Sequence, residues 1–381
     1  MLKTMVLTSV LSLSVFPVYA QTAQDHDKQG LAYIKQSNYS AAVAEFSRAI
    51  EADYKDAEGY TNRALCFSKL GNLRNAISDS TQAIEINPKS FVAYTNRGQF
   101  YAKQGSFTAA IADYNQAIKI NPKFAVAYYD RGTVNAIQGD LAAAVTDFTQ
   151  AIELNPKHAG SYNNRGIVYF KQGRIIDAIA DYTQAIEDGP RDISAYANRG
   201  KAYIKENNFT AAMSDINKAI AIAPHVGALY RDRGLVYIKM DNLSGAIKEC
   251  NKAIEIDPKD TLAYTLRGAI YYQQKDFVHA IADYAQVIAI DPKDAKGYMN
   301  RALAYLREHD FNKAITDLTR VIAIDPDDAT AYLNRAASYY QLKQYNKAWG
   351  DVRKTQALGG KINPKFLDAL KNASGSQANH K

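Results

Sequence analysis

Eight prolines stand 34 residues apart without a slip: Pro88, Pro122, Pro156, Pro190, Pro224, Pro258, Pro292 and Pro326. Only Pro17 and Pro364 fall outside the series. A fixed period of this length marks a repeat array, in which neighbours must stack because one short repeat cannot bury its own apolar face. Counting back 31 residues from each proline starts repeats at Ala57, Phe91, Ala125, Ala159, Ile193, Gly227, Thr261 and Ala295. A weaker repeat precedes them with Tyr54 in the proline place, and another follows with Gly360 there. The expected organisation is therefore ten repeats, 23–56, 57–90, 91–124, 125–158, 159–192, 193–226, 227–260, 261–294, 295–328 and 329–362. A length of 381 residues would by itself allow two or three ordinary domains, and the period overrides that, assigning 21–362 to one array.

Inside a repeat the apolar residues keep helical spacing. Position 4 is tyrosine in nine repeats, position 8 is Gly or Ala throughout, and position 11 is tyrosine in eight. Positions 4, 8 and 11 share one helix face. Position 15 is Gly71, Gly105, Gly139 or Gly173 in four repeats, the left-handed residue that ends a helix. A second apolar stripe occupies positions 17, 20, 21, 24, 27 and 28, as in Phe107, Ala110, Ile111, Tyr114, Ala117 and Ile118. The proline then stops that helix. Each repeat reads as helix–turn–helix, and the fold class is all-α. The register also absorbs 20 of the 27 tyrosines into packing positions, which leaves little room for a catalytic reading of them.

This combination of small, aromatic, small and proline positions, without insertions over 23–362, resembles the tetratricopeptide repeat (TPR) family. The resemblance implies an α-solenoid, a right-handed superhelix of helix–turn–helix repeats. It also implies that the first helix of each repeat lines a concave groove through positions 2, 5, 6, 9, 12 and 13.

Position 6 carries Asn62, Asn96, Asp130, Asn164, Asn198, Asp232, Leu266, Asn300 and Asn334. Asparagine is a mediocre helix former, so its recurrence needs a reason. An amide offers one acceptor and two donors, which matches the C=O and N–H of an extended peptide. The stripe resembles the asparagine ladder in the TPR superhelix of O-linked N-acetylglucosamine transferase, which implies peptide-backbone contact; nothing here corresponds to that enzyme's catalytic domain. The other reading is that these side chains brace adjacent helices. Position 13 is basic in seven repeats, including Lys69, Lys103, Lys171 and Lys205. Those lysines are either solvated or a cationic lining that favours acidic segments. The carboxylate clamp of chaperone-binding members is present only as the fragment Lys296 and Asn300.

Position 7 is arginine nine times, from Arg63 to Arg335, and position 23 is acidic in all ten repeats. The near match predicts Arg–carboxylate pairs between packed helices, in the same or the preceding repeat, because a guanidinium fork suits a carboxylate. Either pairing leaves one terminal acid over.

Residues 1–20 read as a secretory signal peptide: Lys3, an apolar Met5–Val15 stretch, then Val18, Tyr19 and Ala20 before Gln21. The expected location is outside the cytoplasm, periplasmic for a Gram-negative source and otherwise secreted. No integral membrane segment is expected after cleavage. At the other end, 363–372 reads as a capping helix opened by Asn363 and Pro364, and 373–381 as a disordered tail.

An apolar share of 47% excludes wholesale disorder. Of the net charge of +7, Lys3 and the last 21 residues supply +4, so the array is nearly neutral and a nucleic-acid partner is not expected. Cys66 and Cys250 fall five repeats apart and are expected to be free buried thiols. The six histidines are scattered, and no metal spacing, phosphate loop or nucleophile elbow occurs. The sequence therefore reads as a non-enzymatic scaffold without cofactor or metal that binds extended peptide segments of partner proteins. A self-assembling adaptor working through its convex face or end repeats, as a homo-oligomer, is the alternative.

Overall fold

A computed structural model describes residues 22–378, so the expected signal peptide, 1–20, and residues 379–381 lie outside the described residues. The described residues form helices joined by short turns, and their packing divides into two compact units, one ending at Gly173 and the other beginning at Arg174.

In the N-terminal unit the helices are α1 (Ala23–Lys35), α2 (Tyr39–Ala52), α3 (Ala57–Lys69), α4 (Leu73–Ile86), α5 (Phe91–Gln104), α6 (Phe107–Ile120), α7 (Ala125–Gln138), α8 (Leu141–Leu154) and α9 (Ala159–Lys171). Each packs on the next, and the odd-numbered helices also touch one another in sequence. The C-terminal unit contains α10 (Ile175–Asp188), α11 (Ile193–Lys205), α12 (Phe209–Ile222), α13 (Gly227–Lys239), α14 (Leu243–Ile256), α15 (Thr261–Gln273) and α16 (Phe277–Ile290). It continues through α17 (Ala295–Arg307), α18 (Phe311–Ile324), α19 (Ala329–Gln341), α20 (Tyr345–Ala357) and α21 (Pro364–Ala378). Odd-numbered helices through α19 are thus the first helices of repeats.

Short polar residues start the helices. Before the first helix, position 34 caps with a side-chain oxygen in most repeats, as where Asp56 Oδ1 accepts from the Gly59 N–H at 2.9 Å. The second helix is often capped from position 16, as where Asp140 Oδ1 accepts from Ala143 N–H at 3.0 Å. The eight prolines of the 34-residue series lie in the turns between these helices. Every first helix ends on a left-handed residue. Beside the four glycines, Ser37, Asn207, Asp241, Lys275, His309 and Lys343 adopt φ of 56–64°. The turn is therefore set by packing, and glycine is only its least strained occupant.

Within a repeat, the two helices meet where position 8 faces position 24. A Cβ on Gly98 would stand 2.7 Å from Tyr114 Cε1, and Gly30 and Gly268 face Phe46 and Tyr284 in the same way. Where position 8 is Ala64, Ala302 or Ala336, position 24 is the smaller Ser80, Leu318 or Val352. An aromatic ring thus never stands opposite an alanine, as close packing requires. Phe46, Tyr114 and Phe148 are fully buried at such contacts.

The C-terminus corrects one expectation. The last helix does not stop near residue 372 but runs to Ala378 as α21. Leu370 is fully buried against α19 and α20, joined by Phe366 and Leu367. Trp349 Nε1 donates to Ser374 Oγ at 3.2 Å, holding the turn expected to be a disordered tail.

Candidate functional site

The arginines at position 7 resolve first. Arg97 Nε and Nη2 donate to the two oxygens of Asp113, both at 2.8 Å, within one repeat. The same fork joins Arg63 to Asp79, Arg131 to Asp147, Arg199 to Asp215, Arg267 to Asp283, Arg301 to Asp317 and Arg335 to Asp351. Each guanidinium also lies against the tyrosine three residues before it, as Arg97 does at 5.7 Å from the Tyr94 ring centroid. The remaining nitrogen reaches back to the preceding repeat: Arg97 Nη1 donates to Thr81 Oγ1 at 3.1 Å, Arg63 to Ser47 and Arg131 to Asn115. These acceptors all occupy position 25, a polar stripe that the sequence analysis did not single out. Its signal was the run Ser47, Thr81, Asn115, Thr149, Thr183, Asn217 and Asn251. The leftover terminal acid is Glu45, which binds His26 Nδ1 at 2.7 Å and the Arg48 guanidinium. These arginines are structural.

Position 6 divides. Asn164 Nδ2 donates to the Tyr129 hydroxyl at 3.1 Å, and Asn334 Nδ2 lies 3.9 Å from Met299 Sδ; both partners are on the preceding odd helix. Asp130 accepts from Gln99 Nε2 at 2.7 Å, and Asp232 pairs with Lys201 at 3.1 Å, again from the preceding odd helix. Asn96 is buried, its Nδ2 covered and without an acceptor among the described residues. Asn198 is half-buried and also engaged. Asn62 and Asn300 are half-buried and carry no hydrogen bond to a described residue. Leu266 packs with the apolar cluster of α13–α15.

Lys69, Lys103, Lys171 and Lys205 are exposed in the last turns of α3, α5, α9 and α11, where a cation suits the helix dipole. Of the four, Lys103 donates to Ser68 Oγ at 3.0 Å.

Between α7 and α9 two cavities lie on either side of the Tyr129–Asn164 hydrogen bond. One, of 220 Å³, has apolar walls of Ile137, Phe148, Ile167 and Val168, with Asn164 and Lys171 also lining it. Ile137, 61% exposed, stands where most repeats have a position-13 cation. The other, of 280 Å³, sets the polar groups of Gln99, Tyr129, Asp130, Asn155, His158 and Ser161 beside the apolar Ala125, Val126 and Ala151. Burial pushes the Asp130 carboxyl up to about 6, partly offset by the Gln99 bond. In the C-terminal unit, Leu235, Leu262, Leu266 and Ala269 line a 320 Å³ cavity with Arg231 and Asp232.

His158 and the two cysteines are occupied or buried. His158 Nδ1 caps α9 by accepting from Ser161 N–H at 3.2 Å, and its closeness to Ser161 Oγ is part of that cap. Cys66 and Cys250 are free and buried, which pushes their thiols up to about 11 and about 12. Among the described residues, no group of three or more His, Cys, Asp and Glu is placed to hold a metal, and no helix is long and apolar enough to cross a membrane.

Helical hairpins repeated at 34 residues, most of them locked by an arginine–carboxylate pair, define an α-helical repeat protein. Models described as "Tetratricopeptide repeat" match residues 28–91, 81–112, 200–269 and 268–333, and one described as "TPR repeat" matches 98–139, 134–173 and 168–207. The chain belongs to the tetratricopeptide repeat family, whose members are generally protein-interaction scaffolds. Among solved structures, a tetratricopeptide repeat protein from Parabacteroides merdae shares 21% identity over 65% of this chain and 98% of its own, with a TM-score of 0.51. PilW, a type IV pilus biogenesis factor, shares 18% identity over 53% of this chain and 94% of its own, with a TM-score of 0.50. Both likenesses are of fold. No curated protein matches the sequence.

Proposed function

We propose that this chain is a scaffold that binds extended segments of partner proteins along a face formed, within each of its two units, by positions 2, 5, 6, 9, 12 and 13 of the odd-numbered helices through α19. One observation carries the reading: the Asn62 and Asn300 amides sit on that face with hydrogen-bonding capacity that no described residue uses. Exposed lysines flank the face, and cavities open between neighbouring odd helices. Position 6 serves two ends in this reading. Asn164 braces α9 on α7, whereas Asn62 and Asn300 are available to a ligand.

That division supplies the test. Partners are captured from the native compartment and identified, and peptides from them are titrated against variants. Asn62→Ala and Asn300→Ala should each weaken binding by about 0.5–1.5 kcal/mol and leave the melting temperature unchanged, because only a ligand bond is lost. Asn164→Ala should also lower the melting temperature. Binding should weaken with added salt if Lys69, Lys103, Lys171 and Lys205 face the ligand. Unchanged affinity in both free-amide variants would overturn the reading.

The protein works outside the cytoplasm in this proposal, since residues 1–20 carry the three regions of an export signal in order. N-terminal sequencing of exported protein should then begin at Gln21. Intact Met1 in a membrane fraction would refute it.

A further inference from the structure

Two repeats carry aspartate at position 6, and the structure treats them differently. Asp232 on α13 has a counter-charge: Lys201, at position 9 of the preceding odd helix, lies 3.1 Å from its Oδ2. Asp130 on α7 has the same geometry with a neutral partner, because position 9 of the preceding odd helix is Gln99. The amide satisfies Oδ2 and leaves the charge uncompensated. No ion pair to Asp130 occurs among the described residues, and its other oxygen makes no hydrogen bond to them.

The surroundings suit a cation. Asp130 lines the 280 Å³ cavity between α7 and α9 together with Tyr129. His158 shares the cavity, its Nδ1 engaged with Ser161 in the cap of α9. Gly160 adds no side chain here; a Cβ on it would stand 3.2 Å from His158 Cε1 and 3.5 Å from the Tyr129 hydroxyl. The volume falls below the roughly 300–1,000 Å³ of sites for drug-sized molecules and suits one long side chain.

We propose that this cavity receives a lysine or arginine side chain of the bound segment, whose charge takes the place that Lys201 fills beside Asp232. The assignment rests on the reading of the odd-helix face as a peptide site. It adds a preference that an asparagine ladder does not have: one basic residue in the partner, read at α7 and α9.

The test uses the full-length protein and two fluorescent peptides of serine, asparagine and alanine, identical except that one carries arginine and the other neutral citrulline. Anisotropy titrations should show the arginine peptide binding about tenfold or more tightly, the size of a charge-assisted hydrogen bond in a half-buried site. Asp130→Asn should abolish the difference. Gln99→Lys, which supplies the missing cation from within, should abolish it too while retaining the helical circular dichroism of the wild type. Equal binding of both peptides by the wild type would overturn the inference and leave the peptide-binding reading standing. If neither peptide binds, Nα-acetyl-arginine methylamide is titrated against the His158 ring resonances. Shifts in the wild type but not in Asp130→Asn would retain the cation site and reject the groove, and no shift would reject both.

Discussion

Arginine at position 7 meets three kinds of partner at once: a carboxylate of its own repeat, the face of a tyrosine, and usually a hydroxyl or amide of the repeat before. Arg97 shows all three, against Asp113, Tyr94 and Thr81. Removing it strands a buried carboxylate. Arg97→Ala should cost about 2–4 kcal/mol in urea melts, below the roughly 3–5 of a fully buried pair because 17% of its side chain is exposed. A loss under about 1 kcal/mol would mean that the pair is solvated. Asp130 illustrates the opposite case, a carboxylate without a cation. Its carboxyl is pushed up to about 6 by burial from an ordinary 3.8, so the folded protein holds that proton more tightly than the unfolded chain. The resulting stability is fully present below about pH 4 and is lost as pH rises through about 6. Asp130→Asn removes this dependence. Its melting temperature should therefore rise relative to the wild type between about pH 4 and pH 7, and a constant offset would show that Asp130 is not strained by burial.

At the level of the helix pair, a size limit governs the contact: an aromatic ring at position 24 stands only opposite glycine, and alanine only opposite a smaller residue. Gly98 and Tyr114 obey it, and a single added methyl would have to enter the Tyr114 ring. Gly98→Ala should destabilise by about 1–3 kcal/mol through overpacking. Adding Tyr114→Leu should recover part of this, since Ala302 and Leu318 already form that pairing elsewhere in the chain. Thermal melts of the single and double variants measure the coupling, and strictly additive effects would mean that the two positions do not set each other's size. The left-handed turn at position 15 behaves differently. It persists at Lys275 and Lys343 without glycine, so contacts between the paired helices hold it.

For the whole molecule, a repeat array needs finished ends. α1 provides one through His26, which meets Glu45 of α2 together with Arg48 of that same helix, in place of the missing position-7 arginine. α21 provides the other by covering Ala336, Ala348 and Val352 with Leu370, Phe366 and Leu367. Deleting residues 363–381 should expose this surface, removing about 1.5–3 kcal/mol for Leu370 alone. The truncated protein should melt earlier and self-associate in light scattering. A stable monomer would show that α19 and α20 need no cover.

Much of this protein was determined by its sequence alone, because the physics involved is local. Period, helix faces and turn positions follow from spacing along one chain, and the arginine–acid pairing was legible because both partners recur once per repeat. The sequence left open which repeat supplies the acid, and missed position 25 as the second acceptor. Both depend on how far a guanidinium reaches across a helix contact. It left open whether position 6 braces or binds, and the structure divides those residues by what the preceding odd helix presents: a tyrosine hydroxyl to Asn164, an ammonium to Asp232, an uncharged amide to Asp130. It stopped the last helix too early, since residues 373–378 have no repeat pattern and α21 is held in part by Trp349, 25 residues away. Tertiary structure decided these points because each turns on two side chains meeting across separate helices, where the repeat supplies the place and the individual residue supplies the chemistry.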